Sequence, residues 1–144
     1  MNIQLNEACI EQHKAVTKKG FVSCMEQLPR LLMLTVSELG EALEADRKDR
    51  RANIEAFQKA LPTRYATKDY SFHRIDPDMT PEEIEERYKK DFEKYMKDTL
   101  EDELADAFLR LMDICGIEGI DIETHILAKA AYNELRPAKH GKKY

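Results

Sequence analysis

The sequence contains no tryptophan and only five glycines, five prolines and three cysteines among its 144 residues. Because glycine and proline interrupt helices, their scarcity favours long helices. The cysteines are scattered, and without a CxxC pair they are expected to be reduced thiols of a cytoplasmic protein. No run of about 18 apolar residues is present, so no membrane span or membrane partner is expected. The N-terminus lacks the basic start and apolar core of a secretory signal.

Several common catalytic motifs are missing as well. No GxxxxGK[ST] loop occurs, so any phosphate binding is not of the P-loop kind. The sequence has no HExxH motif and no Cys/His cluster for zinc, and no serine or cysteine nucleophile motif. The Glu-x-x-His spacing of di-iron bundles is absent too. These absences leave carboxylates as the main candidates for chemistry.

The charge is acidic overall and unevenly distributed. A net charge of −5 disfavours binding to nucleic acid polymers through overall charge. Residues 82–106 hold eleven acids against five bases, whereas residues 136–144 carry four Lys or Arg and no acid. An acidic middle with a basic tail would suit a polyanionic ligand carrying a metal ion. The alternative is a solvated helix followed by a frayed tail.

The helical signals predict an all-α fold, a bundle of four to five helices in a single domain over 1–144. Thr80-Pro81-Glu82-Glu83 combines an N-cap, an N1 proline and an N3 glutamate, which predicts a helix start. Residues 62–80 are predicted to be irregular, with no strand signal. The expected helices cover residues 3–18, 28–50 with a continuation over 54–61, 81–115, and a last one capped by Asp121 and ended by Pro137.

Two helical segments carry carboxylates in otherwise apolar surroundings. Residues 103–113 are apolar except for a polar stripe about 80° wide at 100° per residue. That stripe contains Glu103, Asp106, Arg110 and Asp113. In residues 31–44, Glu38 and Glu41 lie one turn apart, with Gly40 between them. A glycine in mid-helix costs about 1 kcal/mol relative to alanine, so its missing side chain suggests a close approach by another backbone or a ligand.

These two pairs could bring four carboxylates to one point. Oxygen-only ligands suit Mg²⁺ or Mn²⁺, which also bind substrate phosphates. Unpaired buried carboxylates are costly, so a polar stripe that points into an interior cleft requires cations beside it. The alternative is a satisfied polar face on two surface helices.

The last predicted helix carries cations near its C-terminal end. Lys129, Asn133 and Arg136 fall on one helix face and could bind phosphate oxygens. The alternative is that the cations only interact with the helix macrodipole.

Taken together, these segments resemble the all-α nucleoside triphosphate pyrophosphohydrolases, the MazG-like superfamily that includes dimeric dUTPases and dCTPases. The matching stretches are residues 32–45 (LMLTVSELGEALEA), residues 103–106 (ELAD), the residues Lys129, Asn133, Arg136-Pro137 and His140-Gly141-Lys142, and the early His13 and Lys19-Gly20-Phe21. They cover about half of the chain in the family's order.

The resemblance implies Mg²⁺-dependent hydrolysis of an NTP or dNTP to the monophosphate and pyrophosphate. Glu38, Glu41, Glu103 and Asp106 would hold the metal, with one of them or Glu44 accepting a proton from the attacking water. The resemblance further implies phosphate binding by Lys129, Asn133, Arg136, His140 and Lys142, and a base pocket that includes His13 and Phe21. A non-catalytic helical dimerisation module and a nucleotide sensor with a degenerate site remain alternatives.

The chain departs from this family in the connection between its two carboxylate pairs. There are 61 residues between Glu41 and Glu103, so about 50–98 form an extension. Its aromatic and basic residues could form a nucleotide lid, although a dimer contact or a packed surface loop would fit as well. These residues are Arg64, Tyr65, Lys68, Tyr70, Phe72, His73 and Arg74. A homodimer or homotetramer is expected, because the helices at 31–45 and 103–115 are apolar over much of their circumference.

Overall fold

The computed structural model describes residues 4–21, 24–60, 63–65, 72–74 and 79–136. Their secondary structure is six α-helices, one 3₁₀ turn (Met25–Gln27) and two three-residue strands. The helices are α1 (Leu5–Lys18), α2 (Leu28–Arg47), α3 (Ile54–Ala60), α4 (Pro81–Tyr95), α5 (Leu100–Glu118) and α6 (Ile122–Glu134). The all-α class is therefore confirmed. None of the helices in the described ranges is both long and apolar enough to cross a membrane.

Within the extension, β1 (Thr63–Tyr65) and β2 (Phe72–Arg74) form an antiparallel pair. Arg64 lies opposite His73 in this register. The sequence predicted no strands here, so that expectation was wrong for these six residues. The predicted lid residues Lys68 and Tyr70 lie outside the described residues.

Capping side chains start the helices where the sequence predicts. The Thr80 hydroxyl accepts a hydrogen bond from the backbone N–H of Glu83 at 3.2 Å, and the Glu83 carboxylate accepts one from the N–H of Thr80 at 2.7 Å. This reciprocal pair confirms the capping box. The Asp121 carboxylate likewise accepts from the N–H of Thr124 at 3.2 Å, which confirms the start of α6.

The prediction of a single helix over 81–115 is wrong, because these residues belong to two helices, α4 and α5. Asp98 adopts a positive φ of 57°, a conformation that interrupts a right-handed helix. The Thr99 hydroxyl then accepts from the N–H of Asp102, whose carboxylate accepts from the N–H of Asp98 at 2.9 Å. Thr99 and Asp102 have the spacing of a helix N-cap, so the local signal for this break was present in the sequence.

The chain divides into two compact units. One unit is contiguous, Val36–Ala107, and its centre includes the buried Phe57 of α3. The Phe57 ring contacts Tyr88 and Phe92 of α4 edge-on at centroid distances of 5.6 Å and 6.1 Å. This aromatic cluster therefore joins α3 to α4.

The other unit combines Met1–Thr35 with Phe108–Tyr144. Asn6 at the start of α1 makes a reciprocal pair with Glu123 at the start of α6. The Asn6 N–H donates to the Glu123 carboxylate at 2.9 Å, and the Glu123 N–H donates to the Asn6 side-chain oxygen at 3.2 Å. Deeper in this unit, Gly116 of α5 lies against α1, where an added Cβ would be 2.5 Å from the carbonyl oxygen of Cys9. The absence of a side chain at Gly116 is what permits this close packing.

Candidate metal centre

Three of the four predicted metal ligands meet within the Val36–Ala107 unit. One carboxylate oxygen from each of Glu38, Glu41 and Glu103 lies within 4.8 Å of the others. Helix α2 supplies Glu38 and Glu41 from successive turns, and α5 supplies Glu103 from its first turn. We call these three residues the carboxylate cluster.

Small residues accompany the cluster on the buried faces of its helices. Ala42 and Ala45 follow Glu38 by one and two turns on α2, and Ala107 follows Glu103 by one turn on α5; all three are buried. Side chains four residues apart share a helix face, so each carboxylate continues a buried stripe of alanines. A stripe of such small side chains leaves room beside it for the longer glutamates.

Burial and mutual repulsion make the cluster electrostatically costly. Glu38 and Glu103 are only 7% and 6% exposed, whereas Glu41 is exposed. Burial raises the pKa of Glu103, and the negative charges of Glu41, Asp102, Asp106 and Glu38 raise it further. A cation placed among these groups would relieve that repulsion.

The donor set fits a hard divalent cation. Octahedral ligands at about 2.1 Å from Mg²⁺ are separated by about 3.0 Å when adjacent and by about 4.2 Å when opposite. The oxygens of the cluster lie within 4.8 Å of one another, and this bound exceeds the larger of these distances by less than an ångström. Small side-chain rotations would therefore let all three glutamates hold one Mg²⁺ or Mn²⁺, with water or phosphate oxygens completing the coordination.

The fourth predicted ligand, Asp106, lies near the cluster but outside it. It is exposed on α5, and its charge contributes to the raised pKa of Glu103. Glu44, the predicted alternative proton acceptor, is also outside the cluster. Its carboxylate pairs with Lys48 at 3.2 Å and with Arg47 at 3.6 Å. The hydrogen bond and charge of Lys48 lower the pKa of Glu44, which makes Glu44 a weaker base.

The predicted base-pocket residues belong to the discontinuous unit. His13 Nδ1 is 2.8 Å from the carboxylate of Asp113, which is buried on α5. Such a contact fixes the orientation of the imidazole ring, because Asp113 is held inside the unit. No local sequence pattern indicates this pair, whose members are 100 residues apart. Phe21, by contrast, is 65% exposed.

The predicted phosphate ligands of the described region lie on and just after α6. Lys129 and Asn133 are exposed and line a shallow, mostly apolar groove along that helix. Arg136 follows the end of α6. The two cations of the set, Lys129 and Arg136, lie near the ring of Tyr132, with Lys129 Nζ 5.1 Å and the Arg136 guanidinium 5.8 Å from the ring centroid. The remaining two, His140 and Lys142, lie outside the described residues.

Comparison with known proteins adds no relative: no family model, no curated protein and no solved structure matches this chain. The resemblance to the MazG-like enzymes therefore stays a prediction from the quoted motifs.

The cluster predicts a specific dependence of stability on pH. The pKa of Glu103 is higher in the folded chain than its ordinary value of 4.5, so the folded state binds more protons than the unfolded state above that pH. The contribution of Glu103 to stability must then fall as the pH rises from about 4.5 through the raised pKa. We expect the metal-free chain to lose more stability over this range than the Glu103→Gln variant, as measured by urea unfolding.

The neighbouring Glu101 provides a control, because its contribution to stability changes with pH in the opposite direction. Its carboxylate accepts a hydrogen bond from the N–H of Ala52 at 2.9 Å, which lowers its pKa. It therefore stabilises the fold above its unfolded pKa, and this stabilisation disappears as the pH falls through the lowered folded pKa. Glu101→Gln should remove a stabilisation that grows with pH. Equal pH profiles for Glu103→Gln and the wild type would contradict the effect assigned to Glu103.

Proposed function

We propose that this chain hydrolyses a nucleoside triphosphate to the monophosphate and pyrophosphate in a Mg²⁺-dependent reaction. The observation that carries the proposal is the meeting of Glu38, Glu41 and Glu103 within 4.8 Å of one another. The sequence motifs that predicted a shared metal site are 61 residues apart, and the fold brings three of their four carboxylates together. A solvated polar face would not require Glu38 and Glu103 to be buried.

In this proposal the three glutamates hold Mg²⁺, which supplies charge neutralisation on the phosphates and a water of lowered pKa. Water attacks the α-phosphorus, and the bond from that phosphorus to the bridging oxygen breaks. Pyrophosphate leaves with the bonding electrons, and the proton of the water passes to a carboxylate or to solvent. Glu44 is poorly suited to accept it, because the hydrogen bond and charge of Lys48 lower the pKa of its carboxylate.

Lys129, Asn133 and Arg136 are the proposed phosphate ligands on the last helix. Two cations and an amide can neutralise and hydrogen-bond phosphate oxygens. His13, held by Asp113, and the exposed Phe21 remain candidates for base recognition. His140 and Lys142 complete the phosphate-binding set that the resemblance implies.

The deciding experiment is a panel of ribo- and deoxyribonucleoside triphosphates incubated with the purified chain and Mg²⁺, Mn²⁺ or EDTA. We expect pyrophosphate and a monophosphate as products with at least one substrate, and no turnover in EDTA. Nucleotide binding detected by calorimetry without turnover would instead support the alternative of a nucleotide sensor with a degenerate site. Release of orthophosphate alone would contradict the proposed bond cleavage.

A further inference from the structure

Two cysteines face each other where α1 packs against α5. Cys9 lies on α1 and Cys115 on α5, and both are free thiols. Both belong to the unit that combines Met1–Thr35 with Phe108–Tyr144. The two thiols are close enough to hydrogen-bond to each other. Residues from opposite ends of the chain therefore form a pair of reduced thiols in contact.

Other contacts between α1 and α5 hold the two backbones together at this place. One turn beyond Cys9 on α1, His13 Nδ1 is 2.8 Å from the Asp113 carboxylate of α5. Gly116, the residue after Cys115, packs so closely that an added Cβ would be 2.5 Å from the carbonyl oxygen of Cys9. The approach of the two cysteines is therefore fixed by helix packing and does not depend on the thiols alone.

The two thiols differ in their access to solvent and in their electrostatic surroundings. Cys9 is only 2% exposed, and burial, followed by the charge and hydrogen bond of Cys115, raises the pKa of its thiol to about 11. Cys115 is half-buried; burial raises the pKa of its thiol as well, while the hydrogen bond from Cys9 acts in the opposite direction. Because the thiolate is the reactive form of cysteine, a small oxidant from solvent reacts first with Cys115.

We infer that Cys9 and Cys115 form a reversible disulfide when the chain is exposed to hydrogen peroxide. The Cys115 thiolate attacks one peroxide oxygen and the O–O bond breaks, which gives a sulfenic acid on Cys115 and a hydroxide that is protonated to water. The Cys9 sulfur then attacks the sulfenic sulfur, the S–O bond breaks, and a second water leaves with the proton of Cys9. Two thiols thereby lose two electrons and two protons, and one hydrogen peroxide becomes two waters.

The contact between the two thiols distinguishes them from ordinary buried cysteines, which are inert. Two reacting groups that are already held together react in an effectively unimolecular step, with a high effective concentration of one at the other. Burial keeps most of the Cys115 thiol protonated at neutral pH, so the first step is slow, whereas the second step is fast. Oxidation should therefore stop at the disulfide before a second peroxide converts Cys115 to the irreversible sulfinic acid.

The disulfide would crosslink α1 to α5 and close a loop that contains the whole of Val36–Ala107. Crosslinking residues so far apart in the sequence restricts the unfolded chain strongly, so the oxidised form should melt about 10 °C above the reduced form. Neither cysteine belongs to the carboxylate cluster or to the predicted phosphate ligands. This inference therefore stands or falls independently of the proposed hydrolysis.

Mass spectrometry of the full chain tests the disulfide directly. The purified chain is kept in millimolar hydrogen peroxide (about the concentration that slow thiol oxidation requires), unfolded in urea, alkylated with iodoacetamide and digested without reductant. We expect a peptide that links Cys9 to Cys115 and a single alkylated cysteine, Cys24. Dithiothreitol should restore all three thiols and the melting temperature of the reduced chain.

Two serine variants separate the disulfide from other effects of peroxide. Cys115→Ser should show no link and no rise in melting temperature on oxidation. Cys24→Ser is the matched control: the Cys24 sulfur lies 3.9 Å from the Glu26 carboxylate, and its replacement should leave the link and the rise unchanged. Sulfinic acid on Cys115 with Cys9 still alkylated, a link that involves Cys24, or three free thiols after prolonged oxidation would each overturn the inference. The wild-type chain alone gives these outcomes, so a variant that fails to fold leaves the test intact.

Discussion

Replacing Glu38 or Glu103 by glutamine is expected to abolish pyrophosphate release while leaving the chain folded. Each substitution keeps the shape of the side chain and removes one negative charge from the carboxylate cluster. We expect kcat to fall by more than about 100-fold, because the loss of even an outer partner of a metal ligand commonly costs 10–100-fold. The melting temperature of the metal-free chain should stay the same or rise, since a buried charge among like charges is removed.

A loss of activity without a fall in melting temperature would show that the metal site has been lost and the fold has not. Mn²⁺ titration by calorimetry should show weaker binding in both variants. Asp106→Asn tests the fourth predicted ligand in the same assays. Glu55→Gln is the control for a change in net charge: Glu55 is exposed on α3 and pairs with Lys59 across one helical turn. Full activity in both Glu38→Gln and Glu103→Gln would remove the metal assignment and, with it, the main support for the proposed activity.

Gly116→Ala is expected to lower the free energy of unfolding by about 2 kcal/mol, although alanine normally favours a helix over glycine. The added Cβ would lie 2.5 Å from the carbonyl oxygen of Cys9 and 2.8 Å from the Cβ of His13. Since the first of these atoms is backbone, the backbone of α1 or of α5 must shift. Gly116→Val should cost more and displace His13 from Asp113. Urea unfolding followed by circular dichroism measures both changes.

Gly40→Ala is the matched control, because it makes the same substitution in mid-helix where no described residue lies within 4 Å of the added Cβ. At a protein concentration too low for association it should stabilise the chain by up to about 1 kcal/mol. If both glycines tolerated alanine equally, the close packing of α1 on α5 at Gly116 would be wrong.

The sequence was most informative where a signal is local. The capping box at Thr80 and the cap at Asp121 depend on residues three positions apart, and both are confirmed. The break between α4 and α5 depends on the same kind of signal at Thr99. It was missed because the intervening residues are good helix formers, and only the positive φ of Asp98 shows the chain turning.

Contacts between distant residues were harder to predict. Periodicity predicted that Glu38, Glu41 and Glu103 lie on apolar helices, and motif resemblance suggested that they meet. Neither could show that Asp106 would lie outside the cluster, since the three-residue step from Glu103 to Asp106 leaves their side chains about 60° apart around the helix axis. The pairing of His13 with Asp113 depends on the approach of α1 to α5, which no local pattern records.

The Asn6–Glu123 pair has a consequence for how the chain is made. It joins residues that are 117 positions apart, so α1 cannot make this contact until the start of α6 has been synthesised. At about 5–20 residues per second, a ribosome needs several seconds to add the segment between Thr35 and Phe108. That segment, Val36–Ala107, is contiguous and is synthesised before α6. We therefore expect Val36–Ala107 to fold during translation before α1 packs against α6.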